Sequence, residues 1–295
     1  MRTLSIIIVV LLKVNAIAQH NNEFTFKPIL KPNSVYHIQF TSDYFYNVDL
    51  NSPEVILDSI TKHEAIDTNM MSTTKSQSIN SSLHCGDLSD DGSFQIIYKY
   101  HSVIVNDSLG LIEQPEQVQL FKTLQSTTAY GRVYKDQKFN IDSISGLEDK
   151  NIEHFIVTDL NEIIQQYEFP KQFLKTGDTF EIAIQTETPA NYNFQNIQIP
   201  EFTKLNYKID SIIYPMAFFD IKLVSNELFD ESDLDFEIIN TGKSEYDIKN
   251  RYNKYFELEL SANTTIDLGK ISMNITYRSK IKRIISLESH DDNKR

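Results

Sequence analysis

Several residue types that build crosslinks and active sites are scarce in this chain. It has one cysteine, no tryptophan and only eight glycines among 295 residues. A single cysteine excludes an intramolecular disulfide, so stability must come from a hydrophobic core. The Walker, dinucleotide-binding and Gly-x-Ser-x-Gly patterns are also missing, and so few glycines leave little room for phosphate-binding loops. The sequence therefore predicts no cofactor.

Positive charge is also in short supply. The chain has 28 lysines and arginines against 41 aspartates and glutamates, which gives a net charge of −13. A negative surface repels nucleic acid phosphates and anionic membrane surfaces, and it favours solubility. Nucleic acid is therefore not expected among the partners.

The N-terminus has the pattern of an export signal. Arg2 precedes an almost unbroken apolar run, Leu4 to Leu12, and Ala16-Ile17-Ala18 forms a small-x-small cleavage site. The run is much shorter than the roughly 20 residues that span a bilayer. We expect a signal peptide over residues 1–18, no integral membrane span after its cleavage, and a periplasmic or extracellular protein. Loss of Arg2 and Lys13 with this peptide would change the net charge from −13 to −15.

One segment, residues 149–169, has the period of a helix. Its apolar residues recur three and four positions apart, which places them on one stripe, and Pro170 follows. They are Ile152, Phe155, Ile156, Leu160, Ile163, Ile164 and Tyr167. The stripe predicts one amphipathic helix packed on a sheet. Residues 115–124 form a second, weaker helix candidate.

Nearly everything else alternates with period two, which is typical of half-buried strands. The clearest case is a hairpin of residues 255–266 with 271–285 around a turn at 267–270. In it, Leu260 would face Tyr277, and Glu259 and Glu257 would meet Arg278 and Lys280. A second hairpin, around Asp91-Gly92, would place Ile79, Leu83 and Cys85 opposite Ile104, Tyr100 and Tyr98. A third, around residues 136–138, would pair Val133 with Ile141.

These segments predict a mainly β protein, with a large curved antiparallel sheet or partial barrel and one helix packed on it. The domain would cover residues 19–286, followed by a polar tail at 287–295. Residues 30–40 and 174–184 align without gaps, each as a Leu-Lys, a turn and a strand. One interpretation is two similar halves, 24–148 and 170–286, joined by the helix. Two ordinary turn-plus-strand segments are the alternative.

No group of residues forms a recognised catalytic or metal-binding motif, so no catalytic, cofactor or metal residue is predicted. Residues 87–92 resemble the start of a calcium loop, but Tyr98 stands where a bidentate glutamate is required, which favours a hairpin turn. His84 and Cys85 are consecutive and would point to opposite sheet faces. Cys85 is predicted to be buried and inert. The other histidines are scattered at His20, His37, His63, His101, His154 and His290.

Two further segments each have two interpretations. The acidic residues 230–237 could bind a cation, although a solvated loop is the commoner role of such a run. The aromatic group Phe40, Tyr44, Phe45 and Tyr46 could line a ligand site. Three of these residues are consecutive and reach both faces of a strand, which favours core packing.

The segment Phe169-Pro170 followed by Leu174-Lys175-Thr176-Gly177-Asp178-Thr179-Phe180 resembles a feature of uncharacterised secreted β-rich proteins of Gram-negative bacterial envelopes, a domain of unknown function. Gly131-Arg132-Val133 and Asp267-Leu268-Gly269-Lys270 stand where such chains have long hairpins. This chain departs from the pattern at Phe180, where tryptophan is common, and in lacking a lipid-anchor cysteine. The resemblance implies an envelope location and a β fold, and it supplies no active site.

The expected function is that of an exported cell-envelope binding or interaction protein. Its partner would be an unknown envelope protein or an apolar, lipid-like ligand held on a face of the sheet. The alternative is a hydrolase whose paired carboxylates meet only in the folded protein, because 41 acidic residues offer many such pairs.

Overall fold

The computed structural model describes residues 23–51, 72–107, 122–145, 156, 169–185, 202–224, 237–267 and 272–289. These ranges are almost entirely strand, with residues 122–126 and Ile156 helical. The strands are β1 (Glu23–Phe24), β2 (Ser34–Asn51), β3 (Ser72–Cys85), β4 (Phe94–Asp107), β5 (Thr128–Val133), β6 (Phe139–Ser145), β7 (Leu174–Lys175), β8 (Thr179–Gln185), β9 (Phe202–Ile213), β10 (Met216–Leu223), β11 (Glu237–Asp247), β12 (Tyr252–Asp267) and β13 (Ser272–Ser289). The predicted mainly β fold class is confirmed.

Eleven of these strands form one antiparallel sheet, in the order β6-β5-β4-β3-β2-β13-β12-β11-β10-β9-β8. The short strands β1 and β7 pair separately. The sheet is open, because β6 and β8 are edge strands that do not pair with each other. The two predicted halves therefore share a single sheet, and they meet where β2 pairs with β13 along 18 residues.

Two buried clusters stabilise the sheet, and both lie on the same face, which we call the core face. Alternation along each strand sends one set of side chains to this face. The first cluster includes Tyr36, Ile38, Leu83, Cys85, Ile96, Tyr98, Tyr100, Val133 and Ile285. The second includes Ile182, Leu205, Tyr207, Ile209, Ala217, Phe219, Ile221 and Tyr246. The registers of β13 with β12 and of β12 with β11 connect the two sets across the sheet.

The segment before β2 covers parts of both clusters. Phe26 is fully buried in the second cluster, and Leu30 is buried in the first. Between them, the backbone N–H of Ile29 donates to the carbonyl oxygen of Arg251 at 2.8 Å. Ile156 is helical and fully buried in the first cluster, as the predicted stripe requires. The rest of the predicted helix, up to residue 168, lies outside the described residues.

The last hairpin forms where the alternation predicts, but its register differs by two residues. Leu260 pairs with Ser279 rather than Tyr277, and Glu259 pairs with Lys280 rather than Arg278. The innermost pair is Asp267 with Ser272, so each partner lies one residue later in the sequence than predicted. A shift of two keeps every side chain on its predicted face, because the side-chain period of a strand is also two.

The other two predicted hairpins also form, and their registers also differ from the predicted ones by two residues. Cys85 pairs with Ile96 rather than Tyr98, and Leu83 pairs with Tyr98 rather than Tyr100. The loop has three residues rather than two, since the N–H of Ser89 donates to the carbonyl of Ser93 at 2.8 Å. Val133 likewise pairs with Phe139 rather than Ile141. There the N–H of Tyr134 donates to the carbonyl of Lys138 at 2.8 Å, so the three-residue loop is 135–137 rather than 136–138.

A β-bulge changes the pairing further along β3 and β4. Ser81 pairs with Tyr100 but Asn80 pairs with Ser102, so His101 is an extra residue in β4. The predicted pair of Ile79 with Ile104 is therefore wrong. Ile79 pairs with Val103, and Ile104 is 53% exposed on the other face. A bulge of this kind redirects the side chains that follow it.

Candidate functional site

Between and beyond the two clusters, the core face continues along the three central strands β2, β13 and β12. The registers align these strands in rows, the first of which is Phe40, Arg283 and Phe256. The rows that follow contain the buried residues Ser42, Ala262, Thr264 and Ser279. Their other side chains are apolar or aromatic and only partly buried. They include Tyr44, Tyr46, Val48, Leu258, Leu260, Ile266, Ile275, Tyr277 and Ile281. We call this set the apolar strip. From the row of Phe256 to that of Ile266 it is about 33 Å long, at roughly 3.3 Å per residue.

Arg283 lies at one end of the apolar strip. Among the described residues, Arg283 is the one charged residue on the core face of β2, β13 and residues 256–266 of β12. Its guanidinium carbon is 5.9 Å from the centre of the Phe40 ring, a distance at which a cation–π contact stabilises the pair. The side chain is partly buried and makes further contacts within the chain. Because arginine stays protonated in proteins, a positive charge is permanent at this point.

A second polar group lies beside Arg283 on the same face. Ser42 pairs with Ile281, so it is diagonal to Arg283 across the β2–β13 ladder. It is fully buried, and within the described part of the chain its Oγ has no hydrogen-bond partner. A buried hydroxyl without a partner costs about 1–3 kcal/mol. An acceptor or donor that reached this hydroxyl would recover part of that free energy.

The opposite face, which we call the outer face, carries charges of both signs on the same strands. Lys280 Nζ lies 3.4 Å from Glu257 Oε2 and also donates to Glu259 Oε1. The bond to Glu259 is the main cause that raises the Lys280 pKa. Burial acts to raise the pKa of Glu257, but hydrogen bonds from Tyr255 and Lys280 outweigh it and hold that pKa below its usual value. The predicted contact between Glu257 and Lys280 therefore exists, as a diagonal pair.

Cys85 lies in the first cluster, as predicted. It is a free thiol that is 6% exposed. Burial raises the pKa of the thiol to about 12, so the reactive thiolate is scarce at neutral pH. His84 is exposed, whereas Cys85 is buried, as expected for consecutive residues on opposite faces.

The acidic turn at residues 87–92 has the contacts of a turn. Asp91 Oδ1 accepts hydrogen bonds from the backbone N–H of Ser93 at 2.9 Å and from its hydroxyl at 2.6 Å. These bonds lower the pKa of Asp91, and Gly92 takes a positive φ of 78°. The hairpin-turn interpretation is therefore confirmed. A surface depression of about 550 Å³ lies beside this turn, and its lining includes Asp91, Tyr134 and Lys135.

Three histidines have described positions, and all three lie on the outer face of β2, β3 and β4. His37 Nε2 is 3.4 Å from Glu288 Oε2, while His84 and His101 both contact Ser82. The sequence places His84 and His101 17 positions apart, and only the bulge and the pairing of β3 with β4 bring them together. His20, His63, His154 and His290 lie outside the described residues.

The remaining candidates divide between the two faces. Phe40, Tyr44 and Tyr46 lie on the core face, and Phe40 packs against the first cluster. Phe45 lies on the outer face, where the Arg278 guanidinium carbon is 5.8 Å from its ring centre. Of the acidic residues 230–237, only Glu237 is described, and it is exposed.

The described ranges contain no helix that is long and apolar enough to cross a membrane. They also contain no group of three or more histidine, cysteine, aspartate or glutamate side chains that is placed to hold a metal ion.

Comparisons with known proteins do not establish a family. The chain matches no protein-family model and no curated protein. Among solved structures, a structure on lipid–protein interactions in lipovitellin is 12% identical, with a TM-score of 0.45. That match covers 88% of this chain and 26% of the other, so this chain spans about a quarter of its length. An acetoacetate decarboxylase-like enzyme from Sphingomonas wittichii RW1 is 8% identical, with a TM-score of 0.09, over 86% of this chain and 92% of that one. Both TM-scores are too low to indicate what this chain binds.

Proposed function

We propose that this protein binds a lipid-like ligand with an apolar tail and an anionic head group on the core face of its central strands. The observation that carries the proposal is Arg283, a permanent positive charge on a face that is otherwise uncharged along these strands. A carboxylate or phosphate head group would accept charge-assisted hydrogen bonds from the guanidinium of Arg283 and a hydrogen bond from the hydroxyl of Ser42.

The dimensions and chemistry of the apolar strip fit the rest of such a ligand. A bilayer core about 30 Å thick holds two leaflets, so one acyl chain occupies about 15 Å. The strip, at roughly 33 Å, is long enough for one chain to lie along it from Arg283 towards Ile266. Burial of each CH₂ group contributes about 0.8 kcal/mol, so the tail would provide most of the affinity.

The proposed setting is the bacterial cell envelope, with the protein exported across the inner membrane. The apolar run and the cleavage-site pattern of residues 1–18 support export. The resemblance around Phe169–Phe180 supports the envelope location. A ligand from that compartment would be a fatty acid or a membrane lipid.

Calorimetric titration with palmitate and with methyl palmitate tests the proposal, because the two probes share a tail and differ in head-group charge. The unaltered protein should bind palmitate at least about tenfold more tightly, since a charge-assisted hydrogen bond contributes about 1.5–3 kcal/mol. Arg283→Met should remove that preference. Arg278→Met is the matched control, because Arg278 is in the same strand but stacks on Phe45 on the outer face.

Three other outcomes of the titration would contradict parts of the proposal. Equal affinity for both probes in the unaltered protein would contradict the anionic head group and leave an apolar ligand. Absence of binding to either probe would contradict a lipid-like ligand altogether. Loss of the preference in Arg278→Met but not in Arg283→Met would place the ligand on the outer face.

A further inference from the structure

Two histidine rings converge on one buried hydroxyl on the outer face, independently of the apolar strip. Ser82 Oγ lies 2.8 Å from His101 Nε2 and 3.1 Å from His84 Nε2. Ser82 is fully buried, whereas both histidines are exposed. The serine thus forms the floor of a small site with an imidazole at each side.

The backbone explains why these three residues meet. Ser82 and His84 are two positions apart in β3, so they share a face. His101 is the extra residue of the bulge in β4, opposite the step between Asn80 and Ser81. Bulges redirect side chains, and this one sends His101 towards Ser82. The site therefore depends on a specific local feature of the sheet.

The geometry brings two metal-ligating nitrogens close together. Because both contact the same oxygen, the two Nε2 atoms are less than 6 Å apart. An ion that bonds each nitrogen at about 2.0–2.1 Å requires a separation of no more than about 4 Å. Both rings are exposed, so changes of side-chain torsion can close the remaining distance. The Ser82 hydroxyl has one proton and can donate to only one of the two rings while it accepts from the other.

We propose that His84 and His101 bind a divalent transition-metal ion such as Zn²⁺ or Cu²⁺ through their Nε2 atoms, which would exchange their hydrogen bonds with Ser82 for bonds to the ion. Imidazole is a preferred ligand for both ions. The protein supplies two nitrogens, so water or a donor from another molecule completes the coordination.

Titration of the full chain with Cu²⁺, followed by calorimetry and by electron paramagnetic resonance, tests this proposal. One ion should bind per chain through this site, and the spectrum should show coupling to two nitrogen nuclei. His84→Ala and His101→Ala should each weaken that binding at least about tenfold, since each removes one of two protein ligands. Ser82→Ala should retain both nitrogens in the spectrum.

His37→Ala is the matched control. His37 lies on the same face of the neighbouring strand, paired with Ser82, but its ring contacts Glu288 rather than the serine. Its removal should leave the affinity unchanged. Unchanged affinity in both His84→Ala and His101→Ala would overturn the proposal, and so would a spectrum of the unaltered protein without two coupled nitrogens. The spectrum needs no variant, so the test holds even if one variant fails to fold.

Discussion

At the scale of single residues, close contacts between backbones decide which positions tolerate change. A Cβ atom added at Gly242 would lie 2.7 Å from the carbonyl oxygen of Glu257 and 3.2 Å from the Cβ of Ile221. The backbone of Glu257 cannot move away from an added Cβ as easily as the end of a flexible side chain could. Glycine is therefore required at this position because β11 passes close to its neighbours.

We expect Gly242→Ala to lower the free energy of unfolding by about 1–3 kcal/mol, the usual cost of overpacking. Gly86→Ala is the control, because the nearest atom to an added Cβ there is 3.5 Å away, which is ordinary contact. Urea denaturation of both variants measures the difference. Equal stability of Gly242→Ala and the unaltered protein would mean that β11 and β12 lie further apart than the structure places them.

At the scale of elements, alternation predicts which face a side chain occupies but not its partner. Leu83 and Tyr98 were expected on the core face, and both are buried there, although their partners differ from those predicted. The pairing depends on where each turn begins, and the turn patterns at Asp91-Gly92 and at residues 267–270 predicted that position only to within one or two residues. The bulge at His101 left no signal in the sequence. The contact of His101 with Ser82 could therefore not be predicted.

The register of the last hairpin can be measured through its charges. In a double-mutant cycle, Glu259 and Lys280 should show a coupling energy of about 0.2–1 kcal/mol, because they pair directly on an exposed face. Glu259 and Arg278 should show a smaller coupling, since they are only diagonal neighbours and the Arg278 guanidinium stacks on Phe45. Chemical denaturation of Glu259→Gln, Lys280→Met, Arg278→Met and the two double variants supplies both cycles. If Glu259 coupled more strongly with Arg278 than with Lys280, the result would support the register predicted from the sequence and contradict the structure.

At the scale of the whole molecule, the segment before β2 is part of the core, which alternation alone did not indicate. Phe26 is fully buried, and its ring contacts Phe169, Phe180, Tyr207, Phe219 and Tyr246 at centroid distances of 4.8 to 6.1 Å. These partners are separated from it by more than 140 positions in the sequence. Contacts this remote arise from the fold and have no local pattern. The sequence predicted the mainly β class because that depends on local periodicity.

Phe26→Ala should lower the free energy of unfolding by about 3–5 kcal/mol, because it leaves a cavity in the second cluster. Phe173→Ala is the matched control, since that ring is 69% exposed and its removal should change stability by less than about 0.5 kcal/mol. Thermal or urea unfolding followed by circular dichroism distinguishes the two. A small effect of Phe26→Ala would show that the segment does not pack on the sheet in solution.

The position of β13 in the middle of the sheet has a consequence for how the protein folds. β13 is the last strand described, yet it pairs with β2 on one side and β12 on the other. The remaining neighbours within the large sheet follow one another in chain order, so hairpin after hairpin can form from the N-terminal end of the chain onward. The two arrays stay separate until residues 272–289 are available to join them. Loop closure between β2 and β13 spans more than 200 residues and carries the largest entropy cost in the fold. We expect this step to limit the rate of folding, and the exposed edges of β2 and β12 to be the sites where an incomplete chain associates with other molecules.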